Sequence, residues 1–493
     1  MMLFIAGPVR ASFEWTEGAR QAYHSIITLR FQDGRRQLEA EKQLHPDNDI
    51  LPFIENYIDF LTVFLHENKA EFQQLLPNKD ARLKLLDEAP KNSPWYLLTH
   101  AEVNLQWAFA RLRFGEYMPA AMEINKAYRL LTRNAKLYPD FIPNRKSLGL
   151  LHALIGTIPD EYAWAKNLIG VEGSVSQGVN EMMSVLEAAG RQEDLAFLKT
   201  ETFFLVTFAQ LNLELEGISV TPGFKALIGQ LFTEDEYANN PLYVYSSARI
   251  AMDQGDNEKA ISILQRRPTD TAYEPFPYLE YLLGTALQGK LDAGAAVYFE
   301  SYLKHFKGKS YLKAARQRLA WIQLLAGNEA RYREIMEQVK TSGNTTLGAD
   351  KQAMQAAESG VVPNVKLLKA RLLFDGGYFN KSLQVLVADG NARGFDTREE
   401  RVEFVYRLAR IHQELQHADK AKTYFDMTIR DGETLPLYYA ANAALQLGMM
   451  YEKEGDLEEA RKYYRKCISL KDHEYAQSLS QKAKAGLNRV GEK

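Results

Sequence analysis

Three arginines recur in one register of the chain. Arg249, Arg371 and Arg410 each follow a small residue (Ala248, Ala370, Ala409), and two of them stand four residues after a tyrosine, Tyr245 and Tyr406. A guanidinium fork grips carboxylates, and a tyrosine ring adds contact area at low entropy cost. Such a column would take an acidic stretch or a free C-terminus of a protein partner. Each arginine is also followed four residues on by an acid, Asp253, Asp375 and Glu414. On a helix that spacing makes local ion pairs of ~0.2–0.5 kcal/mol that need no ligand. Both readings stand at this point, and local pairing is preferred.

Other chemistry finds no support in the residues. Gly308-Lys309-Ser310 ends like a phosphate-binding loop, but Leu303 occupies the place of its earlier glycine. The nine histidines are scattered, and His66-Glu67 lacks the second histidine of a zinc-protease helix. His412 and His417, five apart, would be splayed by about 140° on a helix, which prevents shared ligation. The single Cys467 excludes a disulfide framework, a multi-thiolate zinc site and a redox dithiol, and reads as a small core residue. Glu399-Glu400 and Glu458-Glu459 read as solvated helix charge. The expectation is a chain with no catalytic residues, no metal and no cofactor, hence no enzyme. With 60 Lys and Arg against 63 Asp and Glu, the net charge of −3 argues for neither a nucleic-acid surface nor an acidic tail.

The elements that would position the arginines are repeats. Gly448 is followed at offsets of 3, 7, 12 and 16 by Tyr451, Gly455, Ala460 and Tyr464. Ala409 leads in the same way to His412, Gln416, Ala421 and Phe425. Ala370 leads to Leu373, Gly377, Ser382 and Leu386, and Ala248 to Ala251, Gly255, Ala260 and Leu264. Two copies are degraded. Gly284 leads to Leu287 and Ala296 with Phe299 one residue out of register, and Ala320 leads to Gly327 but has bulky Tyr332 where a small residue is expected. Small residues on both helices let two backbones approach, and the glycine between them ends the first helix. A pair of this kind cannot bury its own apolar face, so neighbours must stack, and the first helices line the concave side. The stretch 341–364, with a helical part at 351–358, reads as an insertion. Ala108, Gly115, Ala120 and Ala127 form another copy, and Ala22, Gly34 and Leu38 a terminal one.

These offsets resemble the tetratricopeptide repeat family, best at Leu447-Gly448 through Tyr464. The resemblance implies an all-α fold, a right-handed superhelix of antiparallel helix pairs (an α-α solenoid), acting as a protein-protein interaction scaffold. The expected partner is an extended peptide or helix, acidic or offering its C-terminus. Residues 100–190 further resemble the tetratricopeptide repeat protein 39 and inclusion-body clearance family, through Gly149, Ile158-Pro159, Leu168-Ile169-Gly170, Gly173 and Gly178.

Two domains are expected, a modified helical one at 12–235 and the regular array at 236–493. The stretch Ser147 to Gly156 is apolar on nearly all faces, so the alternative function is a lipid- or small-ligand-binding protein with a pocket near 144–175. Residues 1–11 hold a short apolar run ending in Val9-x-Ala11. They read either as the truncated remnant of an export signal, which favours a periplasmic or exported protein, or as a cytoplasmic N-terminus. No stretch reaches the ~20 apolar residues of a membrane span.

Overall fold

The computed structural model describes residues 13–156, 173–213, 221–233, 239–388 and 395–491. Residues 1–11, with the export-signal reading, and Ile158-Pro159 and Leu168-Ile169-Gly170 lie outside them. Among the described residues every regular element is a helix. The helices run as stacked antiparallel pairs. Glu17–Ile27 packs on Phe31–Leu44, Pro94–Arg113 on Tyr117–Leu137, and Asn144–Gly156 on Val175–Arg191. The later pairs are Pro241–Asp253 with Asn257–Gln265, Tyr278–Gly289 with Ala295–His305, Leu312–Leu325 with Glu329–Thr341, and Val365–Asp375 with Phe379–Val387. Arg398–Glu414 with Ala418–Gly432 and Tyr439–Glu454 with Leu457–Ser469 follow, and Ala476–Arg489 covers the last pair.

The reason for the offsets is visible in the last pair. Gly448 faces the ring of buried Tyr464, and a Cβ there would come within 2.6 Å of it. Gly455 ends the first helix at φ 84°, in the left-handed region where glycine carries no steric cost. Asp456 then caps the second helix by accepting from the Glu459 amide at 3.2 Å. In the Ala370 copy the small partner is Ser382, whose hydroxyl donates to the Ala370 carbonyl at 2.7 Å. The first pair obeys the same rule, with Ala22, Gly34 and Leu38 buried and Leu29 turning the chain at φ 64°.

The degraded copies are resolved by small shifts. In the Gly284 copy the buried small residue is Ala295, not Ala296, because the turn after left-handed Leu291 is one residue shorter. This moves Phe299 into register against Gly284, whose added Cβ would meet the ring at 2.9 Å. In the Ala320 copy Tyr332 stays buried, and the inserted helix Gly348–Ser359 packs its Ala353 and Ala357 into the same core. That helix also supplies Asp350, which accepts from the Tyr311 amide at 2.6 Å and the Ala314 amide at 3.0 Å. The insertion therefore caps the start of Leu312–Leu325 from outside.

The array is not evenly spaced. The pair Val365–Val387 touches the turn ends of two earlier pairs, with Gly377 against Gly255 and Gly376 against Gly289. Asn257 donates to the Ala286 carbonyl at 2.7 Å and to the Tyr378 hydroxyl at 3.2 Å across this junction. Packing also runs on across residue 236, because Tyr243 stacks edge-on against Phe203 and Phe232.

Candidate functional site

The tyrosine-arginine column lies on the first helices of the pairs, and most of its groups have partners within the chain. Tyr245 is buried among Phe204, Phe276 and Tyr278, with Phe204 nearest at 5.2 Å between centroids. Arg249 reaches the Tyr278 hydroxyl at 3.5 Å. Tyr406 is buried and donates to Asn442 at 2.9 Å. Arg371 lies near Asp375 at 3.7 Å and Arg410 near Glu414 at 3.6 Å, so two expected local ion pairs form loosely. Each of these arginines also covers a ring of the preceding first helix. Arg371 stands 5.3 Å from Trp321 and Arg410 5.3 Å from Phe374, while Arg318 extends the series over Tyr281. Their side chains keep 42% and 25% of their surface exposed. Arg371 and Arg410 therefore stay part-exposed on one face, the Arg410 Nε being buried without a hydrogen-bond partner among the described residues, whereas Tyr245 and Tyr406 act as packing beneath it.

A second feature lies on the first-helix side of the N-terminal half. A cavity of about 960 Å³ is bounded by Leu51–His66, Pro94–Arg113, Asn144–Gly156 and Lys199–Asn212, and by the loops around 307–310 and 344–347. That volume is at the top of the about 300–1,000 Å³ range of small-molecule sites. Its walls are apolar, with Phe109, Leu150, Leu154 and Phe208 among them. One end meets a buried ionic cluster. Lys146, 2% exposed, pairs with Glu102 at 3.1 Å and with Glu201. Tyr57 donates to Glu102 at 2.7 Å, Ser147 donates to Glu102 at 2.6 Å, and Tyr23 donates to Glu201. Burial alone would drive the Lys146 ammonium down, but the Glu102 and Glu201 carboxylates hold it above the usual lysine value. Burial first, and the same carboxylates second, push the Tyr57 and Tyr23 phenols well up.

At the other end Glu67 organises the rim. It pairs with Arg113 at 2.8 Å and accepts from the backbone amides of Lys309 and Ser310 at 3.3 and 3.1 Å. The Lys309 and Ser310 amides that a phosphate would need are thus already engaged by a carboxylate. Among the described residues no three His, Cys, Asp or Glu side chains gather as a metal site. His412 and His417 correct the sequence expectation in one respect. Their Nδ1 atoms lie 3.1 Å apart, because the helix ends at Glu414 and left-handed Gln416 folds the chain back. Cys467 is buried, its Sγ donates to the Leu479 carbonyl at 3.7 Å, and burial pushes its thiol up to about 12.

Residues 441–473 match the sequence model of the Tetratricopeptide repeat family. They cover most of Tyr439–Glu454, the Gly455 turn and all of Leu457–Ser469. The chain carries a tetratricopeptide repeat. Among solved structures it is similar to the TPR domain of P58(IPK), at 14% identity over 88% of this chain and 100% of that one, with a TM-score of 0.22. A score of that size supports no argument about arrangement or partner. No curated protein matches the chain. The family-model match supports a tetratricopeptide-type protein and does not reach the narrower repeat protein 39 family.

The tetratricopeptide register predicted where the arginines sit, but not the rings above which they lie, since Trp321 and Phe374 stand on other helices. The ionic cluster was missed altogether. Its members, Tyr23, Tyr57, Glu102, Lys146 and Glu201, are spread over five helices and obey no linear spacing. One signal was available: Lys146 and Ser147 stand directly before the mostly apolar run Leu148 to Ile155, and a lysine buried beside such a run needs a counter-charge.

Proposed function

We propose that the protein is a non-catalytic scaffold, presenting the exposed first-helix face of its tetratricopeptide array to an acidic segment or C-terminal carboxylate of a protein partner. The observation that carries this reading is the pair Arg371 and Arg410. Both are oriented by a ring of the neighbouring repeat and both side chains stay part-exposed, Arg371 more than Arg410. Preorientation lowers the entropy lost when a guanidinium grips a carboxylate. Arg249 extends the face into the first pair of the array, and Tyr245 and Tyr406 hold its floor. Kinship with the repeat protein 39 family, and export through residues 1–11, belong to the same proposal. The first is supported by Gly149 and Gly178, which let two backbones approach closely. The test is co-purification from the native cell. Wild type should retain a partner that the Arg249→Ala/Arg371→Ala/Arg410→Ala variant loses while its helical circular dichroism is unchanged. Retention of the partner by the triple variant would remove the arginine face from the reading. Fractionation of the same cells would locate the protein.

A second reading has its own observation. The 960 Å³ apolar cavity is the kind of space expected of a lipid- or small-ligand-binding protein, and Ser147, Leu150, Leu151, Leu154 and Ile155 of the anticipated region line it.

A further inference from the structure

We propose that this cavity binds a long apolar chain ending in an anionic head, with the chain along Pro94–Arg113 and the head at a lysine rim. This rests on the ligand-binding reading above and adds the class of ligand and its orientation. The cavity runs beside one helix from Glu102 and Gln106 to Leu112 and Arg113. The twelve residues from Glu102 to Arg113 span about 16 Å of helix axis. That is the reach of roughly a dozen methylenes at a C–C bond of about 1.5 Å.

The two ends differ in charge. At the inner end Glu102 and Glu201 surround Lys146 and are further engaged by tyrosine and serine hydroxyls. A second anion there would meet carboxylates. At the rim Glu67 is taken by Arg113 and by two backbone amides. Lys69, Lys307 and Lys309 line the same end and are exposed. Lys307 donates to the Lys304 carbonyl, whereas the Lys69 and Lys309 ammoniums have no ion-pair partner among the described residues. The surplus at the rim is therefore positive, and the apolar walls between the ends suit a chain with no polar group along it. Free long-chain carboxylates and anionic phospholipids share this chemistry.

The experiment is fluorescence titration of the full chain with cis-parinaric acid, followed by displacement. Oleate should displace the probe about tenfold better than oleyl alcohol, the effect of two good surface ion pairs. Lys69→Glu/Lys309→Glu, on exposed positions, should abolish that preference without changing the melting temperature. Leu154→Trp, on the wall, should weaken the probe itself. Displacement by oleate and not by phosphatidylglycerol vesicles assigns the head to a free acid, and the reverse to a phospholipid. Equal competition by oleate and oleyl alcohol in wild type would overturn the anionic head and leave the apolar site standing. Failure of any apolar probe to bind would overturn the ligand-binding reading as a whole. Normal probe binding in a folded Leu154→Trp variant would overturn the placement in this cavity.

Discussion

Lys146 is the residue on which most depends locally. Its buried ammonium lies against two carboxylates and the Tyr57 phenol. Removing it leaves Glu102 and Glu201 facing each other without a counter-charge. Lys146→Met should therefore cost about 3–5 kcal/mol in urea unfolding. Adding Glu102→Gln and Glu201→Gln should recover most of that loss, since neutral groups of the same shape carry no desolvated charge. The cluster also sets an alkaline limit. Lys146, Tyr57 and Tyr23 all have folded pKa values above their unfolded ones. Their contribution is complete below the unfolded values near 10 and is lost as pH rises through the folded ones. Circular dichroism between pH 8 and 12 should show stability declining above about pH 10, and less steeply in the triple variant. Apart from the position of Lys146 and Ser147, none of this was legible in the chain, because a buried charge cluster is a property of five helices meeting. By contrast, the three arginines were legible, since one repeat register placed them all.

At the scale of the helix pair, the repeat works by contact between a glycine or alanine and a ring. Gly448→Ala tests this against helix propensity. Alanine in a helix is better than glycine by about 1 kcal/mol, but its Cβ would sit 2.6 Å from the Tyr464 ring, which also lies close against Gly486. The ring is fully buried, so a net loss of about 1–2 kcal/mol is expected by chemical denaturation. A gain in stability would show that the ring adapts. The pairs were legible because offsets of 7, 12 and 16 encode a turn and two contacts within one short segment. Where a turn lost one residue, as after Leu291, the same rule misplaced the small residue by one. The capping by Gly348–Ser359 was not legible, since its Asp350 acts on a helix that precedes it.

At the scale of the molecule, the chain closes on itself. His66, at the end of Leu51–His66, bridges Glu71 at 2.9 Å and Glu274, in the segment before Tyr278–Gly289, at 2.9 Å. The Glu274 amide donates to the Leu29 carbonyl at 2.7 Å, and Arg113 reaches Ser310 at 3.3 Å. These contacts tie the first helices to the array. The Glu274 hydrogen bond is the largest influence holding His66 above the usual histidine value, against the opposing effect of burial, with Glu71 helping. Its extra stabilisation is complete below the unfolded value near 6.5 and fades as pH rises through the folded one. His66→Gln should thus lose roughly 0.5–1.5 kcal/mol at pH 6 and less at pH 9, read from thermal melts of both proteins. A penalty that does not change with pH would mean that the bridge is a neutral hydrogen bond only.

The buried thiol of Cys467 has a practical consequence. With its proton held to about pH 12 and its sulfur enclosed, it offers almost no thiolate to an electrophile at neutral pH. The chain thus comes blank for chemical labelling. One cysteine placed at exposed Thr346 and another at exposed Tyr117, each on the cavity rim, would carry a pair of spectroscopic labels without mutating the native one, and would report the width of that mouth in solution.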